Sequence, residues 1–271
     1  MQCLASQAKQ RGIKCAVIIP DYTDAYRQKL LSDAGVENLV VLSFFDWWDC
    51  VEQMAIPEHI ITKHPELKGM HYVCQTSTEC VAGDATVVNE ILDEMPDVDT
   101  IVVPYGFGSF SCGSGIVLKD RSPKTRLVAV EASTSTPYRN ALNAGKPSRC
   151  SHTPSFVSQL GGPTAIPSLW DEAKKKNDLI NDSAVVSLDD VAEAIRLLKR
   201  NHDIVAEGAG AAPLAAALSG QAGKGKIVCV LTGGNMESSM LSQIMQGSTP
   251  EPGMPIPPLV PEFNPIPGLS S

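Results

Sequence analysis

The sequence predicts an α/β protein built from parallel sheets with covering helices. Short runs rich in valine and isoleucine alternate with longer stretches of helical period. These runs are apolar throughout rather than alternating, as strands buried on both faces are. A hydrophobic content of 43% over 271 residues suffices for a sizeable core.

Taken in order, the apolar runs place strands at Cys15–Ile19, Leu39–Leu42, Tyr72–Cys74, Thr100–Val103, Leu127–Val130, Ala184–Val186 and Ile227–Leu231. Ile204–Ala206 is too short to assign. Helices are expected at Gln2–Arg11, Asp24–Ala34, Trp47–Met54, Ala85–Glu94, Ser109–Lys119, Pro163–Lys175, Leu188–Arg200 and Ala211–Leu218. Ser187 and Asp190 form a capping pair, and Val191, Ala194, Ile195 and Leu198 line one face of the helix they open. From Ser248 onward eight prolines, from Pro250 to Pro267, exclude regular structure, so residues 248–271 read as a mobile or surface-wrapped tail.

Composition narrows the function classes. A net charge of −8, with no basic run longer than Lys174-Lys175-Lys176, argues against nucleic acid and anionic membrane as partners. No apolar stretch approaches the roughly 18 residues of a membrane span, and Met1-Gln2-Cys3-Leu4-Ala5 lacks the features of a secretory signal. Eight cysteines with no Cys-x-x-Cys pair read as reduced core residues of an intracellular protein, hence a cytoplasmic location. The five histidines, at 59, 64, 71, 152 and 202, have no metal-ligand spacing; they read as surface or turn residues, with no metal and no His-based triad.

Three stretches could carry chemistry. Thr100-Ile-Val-Val-Pro-Tyr-Gly-Phe-Gly-Ser109 runs a buried strand into a glycine turn that opens a helix. Such a junction points backbone N–H groups and the positive helix end at an anion; without a ligand it would be a tight connection. It is neither a dinucleotide fingerprint, which needs a third glycine at Ser111, nor a Walker loop or nucleophile elbow. In Ile204-Val-Ala-Glu-Gly-Ala-Gly210 the carboxylate Glu207 precedes a helix start, either as a site acid or as a charge favouring the helix N-terminus. In Ile227-Val-Cys-Val-Leu-Thr-Gly-Gly-Asn235 a buried strand ends at Thr232 and two glycines, a turn or a site.

These stretches, in this order and at these separations, resemble the fold-type II (tryptophan synthase beta-like) pyridoxal-phosphate enzymes, nearest to serine/threonine dehydratase and serine racemase. The resemblance runs from Leu4 to about Met240 and includes Arg11–Pro20, Gly83-Asp84-Ala85-Thr86, which falls where the family starts a helix, and the strand Leu127–Glu131. It implies the remainder of a small α/β domain at 1–78 and a large cofactor domain at 79–247, with pyridoxal 5'-phosphate between them. By the same resemblance Gly106, Phe107, Gly108 and Ser109 hold the phosphate, Thr232 faces the pyridine nitrogen, and Glu207 belongs to the cofactor site. A neutral partner at the ring nitrogen suits β-elimination from a small hydroxyamino acid, giving a keto acid and ammonia. The family commonly forms homodimers.

The chain also departs from the family. The Schiff-base lysine and the Ser-x-Gly-Asn turn lie, in relatives, upstream of the helix with which this sequence begins, so no catalytic residue is assigned. Ser122-Pro123-Lys124 imitates the lysine motif but sits in the loop before a strand. Phe107 interrupts the glycine loop and is expected to crowd the phosphate, and Ser158-Gln159 replaces an Asp-Gly pair. Three readings follow: a piece of a dehydratase-like enzyme, a pseudoenzyme that keeps the fold to bind a ligand or partner, or a different reaction such as β-replacement or diamino-acid cleavage.

Overall fold

A computed structural model describes residues 1–176 and 178–256. The chain runs α1 (Gln2–Gln10), β1 (Ala16–Pro20), α2 (Ala25–Asp33), β2 (Asn38–Leu42), α3 (Phe44–Gln53), α4 (Glu58–Lys63), α5 (Thr78–Glu94), β3 (Thr100–Pro104), α6 (Ser109–Arg121), β4 (Arg126–Ala132), α7 (Pro137–Ala144), α8 (Pro167–Trp170), β5 (Asp182–Val186), α9 (Leu188–His202), α10 (Gly208–Leu218), β6 (Ile227–Cys229) and α11 (Ser238–Met245).

All strand pairs are parallel, as the unbroken apolar runs require. β1 and β2 form a two-stranded sheet, and a second sheet has the order β5-β4-β3-β6. Every residue of β3, an inner strand, is buried, whereas β5 at one edge begins with exposed Asp182. Side-chain alternation splits the larger core in two. Ile101, Val103, Leu127 and Ala129 face one way with Val88, Leu92 and Leu118 of α5 and α6. Val102, Val128, Val130 and Ala184 face the other, against Val191, Ile195 and the alanines of α10.

Several expectations need correction. Tyr72–Cys74 forms no strand among the described residues and lies outside both sheets. Gly83 lies inside α5 rather than at a helix start; Ser77 opens that helix five residues earlier, its hydroxyl accepting from Cys80 N–H at 3.4 Å. Likewise Ser43 caps α3 at Phe44, three residues before Trp47. The helix expected over Pro163–Lys175 reduces to α8 and a π-helical turn over Asp171–Lys176, Pro167 setting its start. β6 stops at Cys229, although Val230 N–H still donates to Val102 O at 3.0 Å. α4, α7 and α11 had no expected counterpart.

Burial also revises two readings. Cys50, Cys74, Cys112 and Cys150 are core residues, but Cys3 is exposed and Cys15, Cys80 and Cys229 are half-buried; all eight thiols are free. His152 is not a surface residue: it is 4% exposed, stacked on Phe44 with ring centroids 5.6 Å apart. Neither of its ring nitrogens has a hydrogen-bond partner, and burial pushes its pKa down to about 4. The first residues of the expected tail wrap the surface, where Ile256 pairs with His152 and Gly253 N–H donates to Pro154 O at 2.7 Å. The prolines from Pro257 onward lie outside the described residues.

Candidate phosphate and cofactor site

β3 and β6 are neighbours in a parallel sheet, so their carboxyl ends lie side by side. The chain leaves β3 through Gly106 and Phe107, turns at Gly108 and enters α6 at Ser109. Gly108 caps that helix at φ +99°, a conformation that disfavours L side chains, and a Cβ there would come within 2.9 Å of Tyr105 Oη. No side chain caps α6. Its first backbone bond runs from Cys112 N–H to Gly108 O at 2.8 Å, so the preceding N–H groups have no intrahelical acceptor. Helix N-terminal N–H groups without an internal acceptor, together with the helix dipole, favour an oxyanion.

The ring of Phe107 packs on Trp47 and Trp48, with centroids 6.0 and 5.7 Å away. This contact joins the turn to α3. A second loop closes the other side, since Gly161 N–H donates to Tyr105 O at 3.3 Å and a Cβ on Gly106 would meet Gln159 O at 3.1 Å. Ser158-Gln159 therefore borders the site, with Ser158 Oγ buried and unpartnered.

Thr232 follows β6, and Glu207, immediately before α10, is brought to it. The Glu207 N–H donates to Gly233 O at 3.2 Å, and its carboxyl lies directly against Gly233. Burial raises the Glu207 pKa, opposed by the Arg27 guanidinium of α2. A neutral hydroxyl and a half-buried carboxyl thus stand at one strand end, beside the glycine turn at its neighbour's. Backbone amides and a neutral hydroxyl are donor types that fit pyridoxal phosphate.

A cavity of about 560 Å³, lined mainly by apolar side chains of α1, β1, α3 and residues 70–76, includes Phe107 and Trp47 in its wall. Arg11 and Lys14 stand in the same wall, both exposed. Lys124 lies in the connection from α6 to β4, where the sequence puts it. Among the described residues no group of three or more His, Cys, Asp or Glu side chains could hold a metal ion. No helix there is long and apolar enough to cross a membrane.

One feature of the region escaped the sequence. Glu131, expected only as a strand end, is wholly buried and accepts from Tyr138 N–H at 2.7 Å, Arg139 N–H at 2.9 Å and Ser183 Oγ at 3.0 Å. A lone carboxylate ending an apolar run was the available signal.

Known proteins of similar sequence include the L-threonine ammonia-lyases of Thermotoga maritima, 24% identical over 90% of this chain, and Geobacter sulfurreducens, 28% identical over 90%. The chain covers 58% and 59% of those two relatives, less than two thirds of their length. Similar folds include the processed form of threonine deaminase isoform 2 from Solanum lycopersicum, with TM-score 0.74, 18% identity and coverage of 90% of this chain and 69% of that one. Maize serine racemase superposes with TM-score 0.69, 24% identity and coverage of 91% and 73%. Residues 2–233 match the family described as "Pyridoxal-phosphate dependent enzyme". The chain belongs to this family, whose cofactor is pyridoxal phosphate and whose threonine and serine dehydratase-like branch it resembles.

Proposed function

We propose that this chain carries the cofactor-holding part of an ammonia-lyase that eliminates water from serine or threonine, leaving a keto acid and ammonia. The observation behind this reading is the open α6 N-terminus at the end of β3, beside Thr232, which follows its neighbour β6, and Glu207, which precedes α10. The small domain is placed at 1–78 and the large domain at 79–247, so that Phe107 meets Trp47 and Trp48 across their boundary.

Pyridoxal phosphate, when bound, supplies an electron sink for loss of the substrate α-proton. The amides of Gly106, Phe107, Gly108 and Ser109 would hold the phosphate of this cofactor, and the uncharged Thr232 hydroxyl would serve its ring nitrogen without supplying a full charge. Glu207, its carboxyl against Gly233, fixes the loop that presents Thr232. Phe107, Trp47 and Trp48 keep water from one side of the turn. The lysine that takes the α-proton is assigned to sequence outside this chain, consistent with coverage of 58–59% of the two ammonia-lyases.

The test is the mass of the protein purified from its natural source, with keto-acid formation from serine and threonine measured on the same material. A mass above 28.9 kDa by on the order of 8–10 kDa, with keto acid formed, is expected. A mass of 28.9 kDa with no keto acid would sink the ammonia-lyase reading.

A further inference from the structure

The cavity beside α1, at about 560 Å³, has the size of a small-molecule site. Its floor is apolar: Val17 of β1, Cys50 and Val51 of α3, Leu67 and Cys74 are buried there. Leu4, Ile13 and Val73, all exposed, carry the apolar surface out to the mouth. Leaving such walls to water is unfavourable, and an apolar occupant relieves them.

Charge narrows what that occupant is. The chain carries a net charge of −8, yet no acidic side chain lines this cavity. Its two permanent charges are Arg11 and Lys14, both exposed in the connection from α1 to β1. Among the described residues neither forms an ion pair. Deeper in the wall, burial raises the pKa of Tyr72 and pushes the Cys50 thiol up to about 11, so both stay uncharged at neutral pH. The complementary molecule is therefore apolar along its length and anionic at one end. An extended peptide is the rival occupant, because β1 pairs only with β2 and Ala16, Val17 and Ile18 in succession line the cavity. A peptide strand would satisfy that edge but give Arg11 and Lys14 no counter-charge.

We propose that this cavity is a binding site for an amphipathic carboxylate, a hydrocarbon chain of medium length ending in one carboxyl group, which Arg11 and Lys14 recognise. The site is distinct from the Gly106–Ser109 turn, with which it shares only Phe107.

The test is calorimetric titration of the full chain with octanoate, decanoate and 1-decanol, each below its solubility and micelle limits. Tryptophan fluorescence gives a second readout, since Trp47 stands in the wall. Decanoate should bind on the order of tenfold more tightly than octanoate, as its two extra methylenes are buried. It should also bind on the order of tenfold more tightly than 1-decanol at low salt, and that preference should shrink as salt is added. Reversing the mouth charges with Arg11→Glu and Lys14→Glu, both at exposed positions, should erase the preference and leave 1-decanol binding unchanged. Ala8→Phe, which fills the cavity from α1, should weaken all three probes, with circular dichroism confirming the fold.

Equal affinity of the parent chain for decanoate and 1-decanol overturns the role of Arg11 and Lys14, and with it the proposal. So does decanoate binding that survives both the charge reversal and Ala8→Phe, which would lie elsewhere. Failure of the folded chain to bind any probe removes the cavity as a ligand site. If protein from the natural source is longer than this chain and binds none of the probes that this chain binds, its own extended segment fills the cavity along β1, which also overturns the proposal.

Discussion

Three strands of one parallel sheet hand the chain to a helix, and the three junctions end differently. At β5 to α9, Ser187 and Asp190 close the helix by a capping box, the Ser187 hydroxyl accepting from Asp190 N–H at 3.1 Å and Asp190 accepting in return. At β4 to α7, the buried Glu131 carboxylate reaches forward to the N–H groups of Tyr138 and Arg139. At β3 to α6, a left-handed glycine stands where a cap would be and the donors stay open. A helix N-terminus must satisfy its donors by side chain, water or ligand. Of these three junctions, the one at β3 leaves its first N–H groups without a side-chain acceptor, and the proposed phosphate site rests on those donors.

The comparison can be broken most severely at the open junction. Gly108→Asp puts a carboxylate among those donors and strains the turn at φ +99°, and should weaken pyridoxal phosphate binding by about 1,000-fold or more. Absorbance titration reads this, with circular dichroism confirming the fold; unchanged binding would remove the site from this turn.

At the middle junction, Glu131→Ala strands two N–H groups and the Ser183 hydroxyl and should cost about 3 kcal/mol or more in denaturant unfolding. Burial pushes the Glu131 carboxyl up to about 7 from 4.5, against the pull of its three donors and Arg139. Between these values the native state holds more protons than the unfolded chain, so stability falls as pH rises from about 4.5 to 7, by roughly 3 kcal/mol. Glu131→Gln should flatten that slope in thermal melts across the window. A slope that survives the substitution would assign it to other groups; His152, whose lowered pKa makes stability fall as pH drops from 6.5 toward 4, acts in the opposite sense.

The smallest effect belongs to the closed junction. Ser187→Ala should cost about 1 kcal/mol with phosphate affinity unchanged. If phosphate affinity fell as well, the three junctions would not be independent.

Much of this was legible along the chain because it is local. The unbroken apolar runs at Thr100–Val103 and Leu127–Val130 are a direct consequence of burial on both faces, and both lie within inner strands. Ser187-Leu-Asp-Asp190 encodes its cap within four residues. Gly106-Phe-Gly-Ser109 announces an open helix end because only backbone is used there. The misses at Thr78–Glu94 and Phe44–Gln53 are start errors: serine caps at 77 and 43 outweighed weak apolar periodicity.

What the sequence by itself determined is therefore the α/β class, the inner strands and the residue types at Gly106–Ser109, Glu207 and Thr232 on which the proposed site rests. Each depends on residues adjacent in the chain, where propensity, burial pattern and backbone freedom act at short range. Only the tertiary structure decided that β6 lies beside β3 and that Phe107 rests on Trp47 and Trp48. The same holds for Glu131 spanning to Ser183. These pairs are 52 to 127 residues apart, and their meeting is fixed by sheet order and helix packing, which no local pattern records.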